Sequence, residues 1–227
     1  GGIRLDLTIA RKGDDLFRVV TGGGSGQHDL AFLRSSIRDG ERVRITERTG
    51  SLFGLGLWGP RARDVLAAVT DADVSDDAFP YMTARYLHVG EVHPVWAQRI
   101  SYAGELGWEL YGQIAMGARA WDLLMEAGRA HGIVAGGGGA FDSLRLEKGY
   151  RLWGQDIHTE YGPDEAGLGF AVAMGKGDFR GRAAVESVRD AGGSGKRLAC
   201  MTLDDPRHVV MGKEPVFHDG RLVSYVT

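Results

Sequence analysis

The chain opens on an alternating run. From Ile3 to Ala10 apolar and polar residues take turns, which predicts a strand with Ile3, Leu5, Leu7 and Ile9 on one face and Arg4, Asp6 and Thr8 on the other. Lys12-Gly13-Asp14-Asp15 then reads as a turn into a second strand at Leu16 to Val20, a hairpin. After the glycine break at 22–26, the spacing of Leu30, Phe32, Leu33 and Ile37 predicts a helix from Gln27 to Arg38. Strands are expected at Arg42 to Glu47 and Leu52 to Leu57, followed by Gly59-Pro60, where proline suits the first turn of a helix over Arg61 to Val69. Tyr86 to Val89, Val92 to Tyr102 and Trp108 to Gln113 read as strands broken by glycines. Met116 to His131 is the clearest helix, ended by Gly132; a shorter one runs from Phe141 to Lys148 after the glycines at 136–139, and another from Gly181 to Asp190. Beyond a linker at 191–195, strands are expected at Leu198 to Leu203, Pro215 to His218 and Leu222 to Val226, the last two joined by an Asp219-Gly220 hairpin turn. Strands and helices alternate without the period of a doubly wound sheet, so the expected fold class is α+β.

Composition narrows the function classes. At 227 residues, with 43% hydrophobic and 25% charged residues, the chain is long enough to bury a sizeable core. A net charge of -3 with interleaved signs creates no broad field for nucleic acid or an anionic membrane, so neither partner is favoured. No run reaches the length of a membrane helix and no signal peptide opens the chain, which makes the cytoplasm the expected location. The single cysteine, Cys200, lies in the apolar run 198–203 and is expected to be a buried, inert thiol. The chain starts without Met and ends within an expected strand, so both ends read as cuts through a larger polypeptide.

Chemistry concentrates in Ser101 to Tyr111. Glycines let the backbone bend around a ligand, Tyr102, Trp108 and Tyr111 can form a flat apolar wall, and Glu105 and Glu109 offer acceptors. That inventory suits a planar, nitrogen-rich heterocycle, although a half-buried strand beside a glycine turn would carry the same letters. Other motifs are weaker. Gly54-Leu-Gly56-Leu-Trp-Gly59 matches the dinucleotide fingerprint formally, but Trp58 would occupy the turn that must approach pyrophosphate. Gly192-Gly-Ser-Gly-Lys196 lacks the first glycine and the magnesium-binding hydroxyl of a phosphate loop. His88 and His93 are five apart across a glycine turn, which is not the spacing of a metal helix. In Phe141 to Gly149, Arg145 and Glu147 are best placed to pair with neighbours and fix the ends of the helix.

Taken together and in order, Gly1 to Leu7, Gly56 to Pro60, Ser101 to Tyr111, Phe141 to Gly149, Gly154-Gln-Asp156, Pro163 to Gly167 and Asp178 to Gly181 resemble the aminomethyltransferase (glycine-cleavage T-protein) superfamily. Leu57-Trp-Gly-Pro60 and Gly107-Trp-Glu-Leu-Tyr111 are most similar to the folate-binding portion of dimethylglycine oxidase and of sarcosine or dimethylglycine dehydrogenases.

The resemblance implies a folate-binding aminomethyltransferase-like domain over 1–192 and the beginning of a C-terminal β-barrel domain over 193–227. It implies tetrahydrofolate as cofactor, with a methylene unit taken from an iminium made by oxidising an N-methyl amine, giving 5,10-methylenetetrahydrofolate. FAD would then belong to an oxidase domain or subunit outside these residues. Asp6 resembles the family's catalytic aspartate and Glu109 the acid that meets the pterin, with Tyr111 beside it; Tyr102 and Thr8 complete the candidate cofactor-binding set. Two departures stand out: Phe141 replaces an Arg found in many T-proteins, and Val20-Thr-Gly22 replaces the family's Val-x-Asn. A glycine-cleavage-type transferase acting with a partner protein and a non-catalytic folate-binding module are the alternatives.

Overall fold

The computed structural model describes residues 1–227, which divide into two compact units, one of Leu7–Tyr150 and one of Gly1–Asp6 with Arg151–Thr227. Both mix strands and helices, and every paired strand is antiparallel, as α+β requires.

In the Leu7–Tyr150 unit, the hairpin of β1 (Leu7–Arg11) and β2 (Phe17–Thr21) is followed by α1 (Gly26–Ser35). A buried acid ties the two together: Asp29 accepts hydrogen bonds from Thr21, from Ser25 Oγ at 2.8 Å and, at 2.9 Å, from His28. Burial alone would raise its carboxyl, but these hydrogen bonds outweigh it and hold the group below the usual carboxylate range. The centre of the unit is a four-stranded sheet in the order β3-β6-β5-β4, made of β3 (Leu52–Trp58), β4 (Ala84–Val89), β5 (Val92–Gln98) and β6 (Gly107–Gln113). Helices α2 (Ala62–Ala67) and α3 (Gly117–Gly128) supply Val65, Leu66, Ala120 and Leu124 to one core with Phe53, Leu57, Val89, Val95, Trp108 and Leu110 of the sheet. Because side chains alternate along each strand, the core takes one face and leaves the odd-numbered positions of β6 for the other. Helix α4 (Gly138–Glu147) ends the unit. Its Arg145, 1% exposed, pairs with Asp142 at 2.6 Å and donates to the Tyr150 carbonyl at 3.0 Å, the structural role expected of it.

In the second unit, Ile3 N donates to the Tyr161 carbonyl at 3.0 Å and Trp153 Nε1 to the Ile3 carbonyl at 3.0 Å. Helix α5 (Arg182–Asp190) is tied to a preceding loop by the two-pronged Arg189–Asp164 pair at 2.8 Å. The hairpin of β7 (Pro215–His218) and β8 (Arg221–Tyr225) turns at Asp219 and Gly220, whose φ values of 48° and 72° are those of the expected two-residue turn.

Several expectations are corrected. The first strand begins at Leu7, so Asp6 precedes it and does not sit on a strand face; Ile3 makes the contacts just given in place of a sheet ladder. No strand forms at 42–47 or 198–203, where neither run finds a partner strand. Without that strand Cys200 is exposed, not buried. The strand expected to reach Tyr102 stops at Gln98, and α4 starts three residues earlier than expected, within the glycine run.

Candidate active site

The sheet face turned away from the core carries the chemistry. Cross-strand register puts Trp96 opposite Tyr111 and Gln98 opposite Glu109, while Gly54 and Gly56 of β3 face Tyr111 and Glu109 from the other side. The glycines are required by close approach. A Cβ at Gly54 would stand 3.2 Å from Tyr111 Cε1, and one at Gly56 would run into the Trp58 indole, which leans over it.

Glu109 is half-buried and held by its neighbours. The Tyr111 hydroxyl donates to Oε2 at 2.5 Å, and the Gln98 amide donates to the same oxygen at 3.4 Å. Gln98 is itself oriented, since Trp96 Nε1 donates to its carbonyl at 3.3 Å and thereby turns the amide nitrogen toward Glu109. Burial raises the Glu109 carboxyl above the ordinary range, and the two hydrogen bonds pull it part of the way back. The Tyr111 phenol is raised strongly, first by burial and then by the neighbouring carboxylate, so it stays a donor at any working pH.

Aromatic rings flank this acid on two sides. On one, Tyr86 and Trp96 meet edge to face at 4.9 Å, with Lys12 Nζ 4.7 Å and 4.8 Å from their ring centres and hydrogen-bonded to the Tyr86 hydroxyl. Arg18 of β2 lies with its Cζ 5.7 Å from the ring centres of both Trp96 and Tyr111. On the other, Trp58 packs on Phe141 at 5.1 Å, Phe141 on Tyr102 at 5.1 Å and Tyr102 on Tyr150 at 6.0 Å. A carboxylate between aromatic walls, with cations above one of them, has the chemical groups to meet a flat ring with an N–H edge.

The residues anticipated from sequence are distributed as follows. Glu109 and Tyr111 are in direct contact, and Tyr102 belongs to the aromatic run that reaches Trp58 beside Gly56. Thr8 is in β1, paired with Val20. Asp6 is exposed and closes the N-terminal segment of the other unit. Trp108 is not part of the wall: at 0% exposure it belongs to the core, because it is one residue out of phase with Glu109 and Tyr111. Glu105 pairs with Lys148 at 3.3 Å. Gly54 and Gly56 lie in mid-strand rather than in a phosphate-binding turn. Trp96, Gln98, Arg18 and Lys12 are additions from the structure; the alternation of β5 puts Trp96 and Gln98 on one face, but their register against β6 is not local information.

Comparison with known proteins gives this arrangement a family. The model of the GCVT N-terminal domain matches residues 1–176. The chain belongs to that family. It is 37% identical to rat mitochondrial dimethylglycine dehydrogenase, covering 100% of this chain and 26% of that protein. It is 33% identical to the aminomethyltransferase of Moorella thermoacetica, over 100% of this chain and 60% of the relative. Among solved structures, the glycine cleavage system aminomethyltransferase T of Bartonella henselae superposes with a TM-score of 0.71 at 29% identity, over 85% of this chain and 51% of that one. The GCVT domain described here therefore has the aminomethyltransferase fold and spans about a quarter of the length of the dehydrogenase it matches. None of its helices is long and apolar enough to cross a membrane.

Proposed function

We propose that this GCVT domain is a tetrahydrofolate-dependent one-carbon transfer module, taking a methylene unit from an iminium of the dimethylglycine or sarcosine type to give 5,10-methylenetetrahydrofolate. The observation that carries the reading is the Glu109 carboxylate, gripped on one oxygen by Tyr111 and Gln98 and flanked by aromatic rings. A carboxylate has about four lone-pair positions, so two bonds on Oε2 leave capacity for a two-point N–H edge such as a pterin presents.

When bound, tetrahydrofolate supplies the nucleophilic nitrogen. Glu109 orients the ring by its edge, and the aromatic residues, Tyr102 included, exclude water from its faces. Asp6 is assigned the counter-charge to the cation that develops during transfer and the acceptor for the proton that leaves, by its match to the family's catalytic aspartate. Thr8 is assigned to tetrahydrofolate binding. The iminium would be delivered by an FAD-bearing oxidase domain or subunit, the flavin being outside the residues assigned here. Cys200, an exposed lone thiol, accords with a reducing, cytoplasmic setting.

The likeness to the Moorella aminomethyltransferase favours a second reading, a glycine-cleavage-type transferase acting with a partner protein. A third is folate binding without turnover. Titration of tetrahydrofolate into wild type and Asp6→Asn, followed by a methylene-transfer assay with formaldehyde-derived iminium, tests the proposal. The variant is expected to keep its affinity and lose transfer; transfer retained by the variant would remove Asp6 from the chemistry, and no transfer by wild type would leave a binding module only.

A further inference from the structure

Arg18 is a cation of this sheet face that lies against both Trp96 and Tyr111. It stands in β2 opposite Ala10, between Phe17 and Val19, which are exposed on the other face of the hairpin. Its guanidinium is half-buried, 5.7 Å from the ring centres of Trp96 and Tyr111, and its Nη1 is buried without a hydrogen-bond partner. A buried N–H without an acceptor is costly to leave unmet, and such a group in a native structure calls for a partner, here an acceptor atom on a ligand. Tyr111 is the shared neighbour: its ring meets Arg18 and its hydroxyl meets Glu109. The face therefore offers an acceptor and, past one tyrosine, a fixed donor.

That order of acceptor then donor is complementary to a ring edge that runs N–H, N–H, C=O. In a 4-oxo pterin the amino group and the N3–H would meet Glu109, and the neighbouring carbonyl oxygen is the next polar atom. We propose that Arg18 is a specificity-determining residue that donates through Nη1 to the ring carbonyl at position 4, selecting 4-oxo over 4-amino pteridines. The inference rests on the folate reading and deepens it. An amino group at position 4 brings a donor against a donor, and Arg keeps its charge at every accessible pH, so the clash has no protonation escape. Burial lowers the Arg18 guanidinium somewhat, consistent with a cation that is only partly solvated.

The test is anaerobic calorimetric titration of tetrahydrofolate and its 4-amino counterpart, tetrahydroaminopterin, into wild type and Arg18→Met. Wild type is expected to prefer the 4-oxo ligand, in part because the 4-amino ring also lacks the N3–H that meets Glu109, so the share due to Arg18 is read from the variant. The variant should lose about 10- to 150-fold in affinity for tetrahydrofolate, the worth of one charge-assisted hydrogen bond, and lose none for tetrahydroaminopterin, whose clash with the guanidinium it relieves. Equal affinity of wild type for the two ligands, or an equal loss of both in the variant, overturns the role of Arg18 and leaves the folate reading intact. Failure of wild type to bind tetrahydrofolate at all overturns that reading itself. Should Arg18→Met lose its near-ultraviolet circular dichroism, Arg18→Gln makes the same comparison with a neutral donor, and its loss should again fall on tetrahydrofolate alone.

Discussion

Replacing Glu109 with Gln separates what this side chain does for the ligand from what it does for the fold. The amide has the same size and still offers Tyr111 an oxygen, so the 2.5 Å contact survives in neutral form. What is lost is the charge and one acceptor, and an NH2 group now faces the N–H edge of the ring. Charge-assisted hydrogen bonds are worth about 1 to 3 kcal/mol, which corresponds to a loss of roughly 5- to 150-fold in tetrahydrofolate affinity. Stability should move the opposite way. Burial raises the Glu109 carboxyl in the folded state, so its contribution to stability is full at low pH and is lost as pH rises through that raised value. Above it the wild type carries an ionised, partly desolvated carboxylate and the Gln variant does not. The variant should therefore be at least as stable as wild type at pH 7–8 by urea unfolding, and the gap should close toward acid pH. Calorimetry for binding and urea titration for stability, on the same preparation, read both effects. Unchanged affinity removes Glu109 from the site; a variant clearly less stable than wild type at pH 8 refutes the account of its burial.

Other perturbations reach the same site. Tyr111→Phe deletes a hydrogen bond that holds the Glu109 carboxyl down, so the carboxyl rises further and tetrahydrofolate affinity should fall off at a higher pH than in wild type; coincident pH profiles would contradict this. Gly56→Ala drives a methyl group into the Trp58 indole, and the displaced ring should cost about 1–3 kcal/mol of stability by urea unfolding and quench or shift the tryptophan emission. Asp6→Asn should leave the tetrahydrofolate isotherm close to wild type while abolishing transfer.

The elements differ in how far their residues announce them. Period-two alternation in Trp108 to Gln113 is enough to put Glu109 and Tyr111 on one face, and Asp219-Gly220 is enough to fix the last hairpin, because both are local signals. The alternation at 42–47 and the apolar run at 198–203 make no strand, since a strand needs a partner ladder that the letters do not supply. Trp108, expected in the aromatic wall, is out of phase with Glu109 and Tyr111, and the alternation sends its indole to the core. The supports of Glu109 are non-local: Gln98 and Trp96 arrive through the register of β5 on β6, and Arg18 through a hairpin some ninety residues earlier in the chain. Family resemblance named Asp6 and Glu109, whereas only coordinates show that Trp96, Gln98 and Tyr111 form the chain of donors that orients the second of these acids.

The central claim is that Glu109 grips the N–H edge of a reduced pterin, and a crystal structure of the domain grown with 5-formyltetrahydrofolate addresses it most directly. The account predicts the pteridine between the Trp58 and Trp96 sides of the sheet face, with its amino group and N3 within hydrogen-bond distance of the Glu109 carboxylate. A pteridine bound elsewhere, with Glu109 still engaged only by Tyr111 and Gln98, would contradict it.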